Sequence, residues 1–409
     1  MNPQARAQTA LLTLALSAFV FGTAEFVVVG VLDLVARDLA IPIATASHLV
    51  MAYALGIAIG GPIATALTTR FERRFVLAVA LAVFVASNVV IIVSRHFGLL
   101  VLARFVPGAM HGLFVGAASV VAAGLAPARQ RGQAMSMVFG GVAVATVLGV
   151  PLGTWMAQAM GWRAAFVGVA ALAALAWAAT LVTVPRHDAR PAVGILAQAR
   201  AAFAPRVLAL LAVAALLMGG QFSVFTYIAP YLKQVTGATD KSIAVYLLVY
   251  GVASAAGMFA GGRLADRNAS ATIVVANALL LVVLGALYLF GSGAFMAMLI
   301  LAAWGVIGFG MVPAIQIRVV ELAGRGGDLA ASLSASAINA GIAAGSLMGG
   351  WALVRFDVNA VVLVGLALCV LALPAAWATR NFETPAPSAS AQRPDFQPQL
   401  LNRVAQPDD

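Results

Sequence analysis

The spacing of charges is what most limits how this chain can fold. From Asn268 to Ile317 there is no charged residue at all. A helix crosses the hydrocarbon of a bilayer with about 20 apolar residues, so this stretch holds two crossings, with Gly291-Ser292-Gly293 as the break. Reading from charge to charge gives apolar runs near 11–36, 46–69, 75–94, 98–124, 134–160 and 164–184, then near 207–232, 242–262, 271–291, 294–317, 329–354 and 358–379. Only 9% of the 409 residues are charged and 63% are hydrophobic, with a mean hydropathy of +1.00. An average soluble domain carries about 25% charged residues, so this chain cannot cover a water-facing surface of its own size. The expected fold is an all-α membrane protein of twelve transmembrane helices in two six-helix bundles, residues 1–184 and 207–380. A polar cytoplasmic linker, 185–206, joins them. A tail rich in Pro, Ser and Gln, 381–409, is expected to be disordered and cytoplasmic.

Several function classes drop out. The net charge is +10, but the basic residues stand in ones to fours between apolar runs, not in the dense cluster of a nucleic-acid surface. The first apolar run is too long for a cleaved leader and reads as a retained helix. The single cysteine, Cys369, excludes an intramolecular disulfide. No metal-spaced His/Cys/Asp set and no nucleophile–base pair point to an enzyme, and no GxxxxGK[ST] run points to ATP. No cofactor is expected. With both ends inside, one side of the membrane holds 17 Lys/Arg and the other 6, and Arg104 completes the 24. The positive-inside bias therefore places both termini and the linker in the cytoplasm.

The halves repeat. An offset of roughly 197 residues lays Gly22-Thr23 over Gly219-Gly220, and nearly the same offset lays Gly149–Gly153 over Gly345–Gly349. Two bundles related by an axis along the membrane normal are a known transporter plan, with the solute site between them near mid-membrane. Glycines four apart, such as Gly108, Gly112 and Gly116, let helix backbones approach closely. Pro151 removes a helix hydrogen bond in mid-span, so the fifth span is expected to bend there.

Three motifs carry a family resemblance over residues 8–380. They are Gly262-Arg263-Leu264-Ala265-Asp266-Arg267 after the eighth span, Arg104 with Gly108 and Gly112 in the fourth, and Gly149-Val-Pro151-Leu-Gly153 in the fifth. With Gly22-Thr23-Ala24-Glu25-Phe26 and His111-Gly112, the chain resembles the twelve-helix drug:proton antiporters of the major facilitator superfamily, in the arabinose-efflux-permease-like and chloramphenicol-exporter-like branch. The resemblance implies a secondary transporter in the inner (plasma) membrane. It would use alternating access and proton-coupled efflux of a small organic solute such as a drug, sugar or metabolite, with import as the alternative direction. Gly149, Pro151, Gly153, Gly262, Asp266 and Arg267 become candidate conformational residues, as do Arg70, Arg73 and Arg74. The loop after the second span departs from the family's GxLADR pattern, having Thr65, Thr69 and Glu72 where the family has glycine, an acid and glycine. Partners implied are a small-molecule substrate, protons and the lipid bilayer, with no nucleic acid and a monomeric chain.

Glu25 is the outstanding residue, a carboxylate inside the first span, where insertion costs roughly 2.5 kcal/mol or more. At 1.5 Å per residue, Glu25 lies about 16 Å, Asp33 about 5 Å and Arg104 about 10 Å below the outer helix ends. Arg104 is thus expected to pair with either acid, or with solute, as the halves rock. The competing readings are a fixed Glu25–Arg104 ion pair and an Asp33 solvated near its helix end. His111 reads as a neutral hydrogen-bonding residue or a proton relay. Gln221, Phe222, Thr226, Tyr227 and Asn339 are candidate solute contacts or ordinary helix contacts.

Overall fold

The structure, a computed structural model, describes residues 3–127, 130–185, 200–324 and 327–383. Most of the expected linker and tail, 186–199 and 384–409, lies outside these, as do the loop arginines Arg129, Arg186, Arg190, Arg325, Arg393 and Arg403. The described residues form helices and no strands. In lipid a helix satisfies its backbone groups within one segment. The spans are α1 (Pro3–Asp38), α2 (Ile43–Thr68), α3 (Arg73–Val93), α4 (Phe97–Leu125), α5 (Gln133–Met160) and α6 (Trp162–Thr183), followed by α7 (Pro205–Phe225). A short helix, Ile228–Gln234, continues α7 after a break at Tyr227.

The next helical stretch extends from Asp240 to Phe290, 51 residues. At 1.5 Å per residue that is about 76 Å, more than two hydrocarbon thicknesses of about 30 Å. It is two crossings, α8 and α9, folded at Asn268, whose φ of −161° and ψ of 93° leave the helical region. The Asn268 side chain makes the fold: its Oδ1 accepts from the Ala271 N–H at 2.9 Å, capping α9. Then come α10 (Ala294–Ala323), α11 (Gly327–Arg355) and α12 (Ala360–Thr379). With Asp240–Phe290 counted as two, the eleven long apolar helices among the described residues make the twelve crossings expected. Because α10 continues to Ala323, Arg318 is a second buried arginine within a helix, donating to the Phe382 carbonyl at 2.6 Å.

An even number of crossings puts Pro3 and Thr379 at one end of the bundle, here called the base; the other end is the crown. The internal repeat recurs as geometry. A Cβ at Gly149 would collide with Thr23, and one at Gly153 would meet Val27. One constant offset turns those pairs into Gly345 against Gly219 and Gly349 against Ser223, which are the corresponding collisions in the second half. The α1–α5 and α7–α11 seams are thus the same contact made twice. Bulky apolar side chains such as Leu12, Ile63, Val182, Phe259, Phe295 and Val354 face outward and are more than half exposed, a surface that suits lipid and not water.

The halves touch at the crown. Tyr227 Oη lies 2.6 Å from Ser47 Oγ of α2 and 2.7 Å from the Ser346 carbonyl of α11. Lys233 bridges Asp33 of α1 to Asp240 of α8. Toward the base a cleft of about 210 Å³ lies between α2, α4 and α11, lined by Ile57, Pro62, Arg73, Gly116, Ser332 and Ser336 among others. Two helices on the α2 and α5 side carry π turns, Gly56–Gly60 and Ala145–Gly149, each just ahead of a proline, Pro62 and Pro151. Where a bend was expected at Pro151, the helix carries a π turn just before it. The equivalent turn in α2 was signalled only by Gly60-Gly61-Pro62.

Candidate functional site

The site forms where α1, α2 and α4 meet. Helices α2 and α4 approach backbone to backbone because Gly56 faces the Phe105 carbonyl and Gly108 faces the Tyr53 carbonyl; a Cβ at either would collide. That contact brings Tyr53 of α2 against Arg104 and His111 of α4. Arg104 and His111 lie on one face of α4, since residues seven apart on a helix nearly superpose in azimuth, and Tyr53 meets that face from α2.

Glu25 projects into this junction from α1 and leaves 11% of its side chain open. Its Oε2 lies 3.4 Å from His111 Nδ1. The same Nδ1 lies 3.3 Å from Tyr53 Oη, which is 3.1 Å from the Phe21 carbonyl. Phe21 stacks on the imidazole, with ring centroids 5.2 Å apart and planes 17° apart. The carboxylate faces the interior of the bundle, not lipid, as the coupling expectation requires.

Arg104 is placed differently from the expectation. Its guanidinium, 1% exposed, donates to three backbone carbonyls, Ala24 at 2.8 Å, Leu49 at 3.2 Å and Glu25 at 3.3 Å. It also lies 4.2 Å from the centre of the Tyr53 ring. It makes an ion pair with neither acid here. The five donors of a guanidinium are spread in a plane, and the closest acceptors in this state are carbonyls of α1 and α2. The Glu25 carboxylate and the Arg104 guanidinium are not in ion-pair contact in this state; Arg104 reaches the Glu25 backbone carbonyl instead.

Asp33 is not solvated, being 5% exposed. Its Oδ2 takes Arg37 at 2.7 Å and Lys233 of the other half. It belongs to the crown closure, about two helical turns from Glu25.

The expected solute contacts are closed off. Gln221 is 2%, Phe222 3%, Thr226 0%, Tyr227 0% and Asn339 7% exposed. Gln221 accepts from the Trp304 indole at 3.2 Å, and Asn339 donates to the Ala335 carbonyl at 3.0 Å. Tyr227 is a strut between the halves, because the break after α7 turns it toward Ser47. The candidate conformational residues divide in two. Gly149 and Gly153 make room for α1, with Pro151 buried between them. Arg74 donates to the Leu181 carbonyl of α6, and Arg73 lines the basal cleft. Arg70 lies over the Phe71 ring, while Gly262, Asp266 and Arg267 stand at the base of α8 without an ion pair among the described residues.

The sequence profile of the Major Facilitator Superfamily matches residues 14–332. The chain belongs to that superfamily. Its members are transporters, not enzymes, and this chain is a multi-pass transporter of that plan. It is 38% identical over 346 residues to the uncharacterized MFS-type transporter YtbD of Bacillus subtilis, covering 83% of this chain and 87% of that protein. It is 33% identical to the inner membrane transport protein YdhP of Escherichia coli K12, with the same coverage. A chloramphenicol resistance protein of Streptomyces lividans is 32% identical over 94% of this chain and 99% of its own. Among solved structures, a bacterial homologue of the lysosomal transporter Spinster, in an inward-facing and unoccupied conformation, shares the fold. Its TM-score is 0.70 at 18% identity, over 92% of this chain and 93% of that one.

Proposed function

We propose that this superfamily transporter is a proton-coupled exporter of a small organic solute, with Glu25 as the exchanging acid. The observation that carries the reading is a carboxylate in mid-span, turned inward and open by 11%, whose side-chain contact is an imidazole and not a fixed cation. An ionisable group kept in mid-span, where insertion is costly, is by default a functional one. A change of access then changes its protonation. The lysine and arginine bias supports a cytoplasmic base, so the state described here is closed outward and clefted toward the cytoplasm. The likeness to a chloramphenicol resistance protein along 94% of the chain supports export of a neutral, amphipathic molecule.

The test is proton release. Purified protein in weakly buffered detergent receives chloramphenicol, arabinose or a nucleoside in turn, and a pH dye is read. The wild type is expected to release protons with one of them and Glu25→Gln none. Equal release from Glu25→Gln would refute the assignment. Direction is read in inside-out vesicles with an acidic lumen: accumulation of the solute means export, and depletion from preloaded vesicles means import.

A further inference from the structure

Three atoms around Glu25 have fewer protons than contacts. His111 Nδ1 faces both Glu25 Oε2, at 3.4 Å, and Tyr53 Oη, at 3.3 Å. Tyr53 has one hydroxyl proton and two neighbours for it, His111 Nδ1 and the Phe21 carbonyl at 3.1 Å. A carbonyl only accepts, and a neutral imidazole has one donating and one accepting nitrogen. When Glu25 is ionised, one arrangement satisfies all of these contacts. The Tyr53 proton goes to Phe21, and Nδ1 carries the imidazole proton toward Glu25 and Tyr53. When Glu25 is protonated, its O–H needs an acceptor, and Nδ1 can serve only if its own proton is elsewhere.

Resting on the assignment of Glu25 as the exchanging acid, we propose that His111 and Tyr53 form a relay that loads and unloads Glu25 by switching the tautomer of the imidazole. A proton arrives on Nε2 while the Nδ1 proton passes to Glu25. The ring is neutral before and after, and one proton has entered. Discharge is the reverse. The ring changes tautomer without rotating, because Phe21 stacks on it and Tyr53 meets its edge. Tyr53 is the positioning residue: with its proton on Phe21, its lone pairs hold the Nδ1–H form ready. The remaining charged group at the junction is Arg104 of α4, over the Tyr53 ring and bonded to the Glu25 carbonyl. It carries its charge in both states and so does not compete for the proton.

The relay is read by nitrogen NMR on histidine-labelled protein in nanodiscs, with the His111 signal identified by its loss in His111→Asn. The carboxyl stretch of protonated Glu25, absent in Glu25→Gln, is followed by infrared over the same pH series. The wild type is expected to move from Nδ1–H to Nε2–H as that carboxyl band grows, and Glu25→Gln to keep one tautomer throughout. In Tyr53→Phe the Nδ1–H form is expected to lose its preference, with melting temperature and elution unchanged. Proton uptake by His111→Asn is expected to slow by on the order of 10²-fold, the usual weight of a positioned acid–base group. An unchanged tautomer across the Glu25 titration, or a doubly protonated ring, overturns the relay. If solute-driven proton release by the wild type persists in that case, the Glu25 assignment survives the relay's failure. If release is absent or equal in Glu25→Gln, both fall.

Discussion

The crown closure makes a quantitative prediction through Lys233. This side chain, 22% exposed, is the cation that joins the halves, touching Asp33, 8% exposed, and Asp240, 46% exposed. Removing one partner of a buried pair costs about 3–5 kcal/mol, because the other charge is left stranded. Arg37 remains beside Asp33, though 61% exposed, and relieves part of that cost. The Asp240 contact, being half in water, adds about 0–1 kcal/mol. We take about 2 kcal/mol as the loss to the crown-closed state in Lys233→Met. At 1.4 kcal/mol per decade, that raises the crown-open population about 30-fold. The assay places one thiol, Ala44→Cys with Cys369→Ala, at the crown face of α2 and measures its rate of reaction with an impermeant maleimide. Lys233→Met should speed labelling about 30-fold if the open state is the one that reacts. Asp33→Asn combined with Lys233→Met should label more slowly than Lys233→Met alone, since no stranded carboxylate remains. Labelling within twofold of wild type in Lys233→Met, or strictly additive effects in the pair, would refute the latch.

Three further outcomes follow from the packing. Asn268→Ala should lower the stability of the second half by about 0.5–2 kcal/mol, seen as a reduced melting temperature, and Asn268→Gly by only a few tenths. Arg104→Lys should lower both melting temperature and transport, because an ammonium cannot reproduce a planar fork that reaches three carbonyls; wild-type values for both would count against the clamp. Gly108→Ala drives a methyl group into the Tyr53 carbonyl and should cost about 1–3 kcal/mol, read as loss of monodisperse protein on size exclusion.

Charge spacing was enough to read the spans and to single out Glu25, because the hydrocarbon penalises charge wherever it is not sheltered, and the glycines were enough to read the repeat. The partners of those charges were not legible. Lys233 and Asp33 are held together by the docking of two bundles, and nothing local in either sequence signals the other. Arg104 bonds to carbonyls, which every residue possesses and no sequence pattern marks. Tyr53 looks like any aromatic in an apolar run; only Gly56 and Gly108, read as a pair, hint that α2 and α4 meet closely enough for it to reach His111. The burial of the expected solute contacts was not legible for a related reason. Periodicity gives the face of α7 but not the break at Tyr227 that swings its end toward the other half.

Asn268 has a mechanical corollary. In the first half, α2 and α3 are separated by a stretch of turn residues, 69–72, whereas α8 and α9 share a single elbow with no slack. A tilt of α8 is therefore expected to be handed directly to α9, whereas the turn between α2 and α3 leaves those two helices more independent. Inserting Gly-Ser after Asn268 should uncouple the pair. Spin-label distances across the base would then broaden in the second half alone.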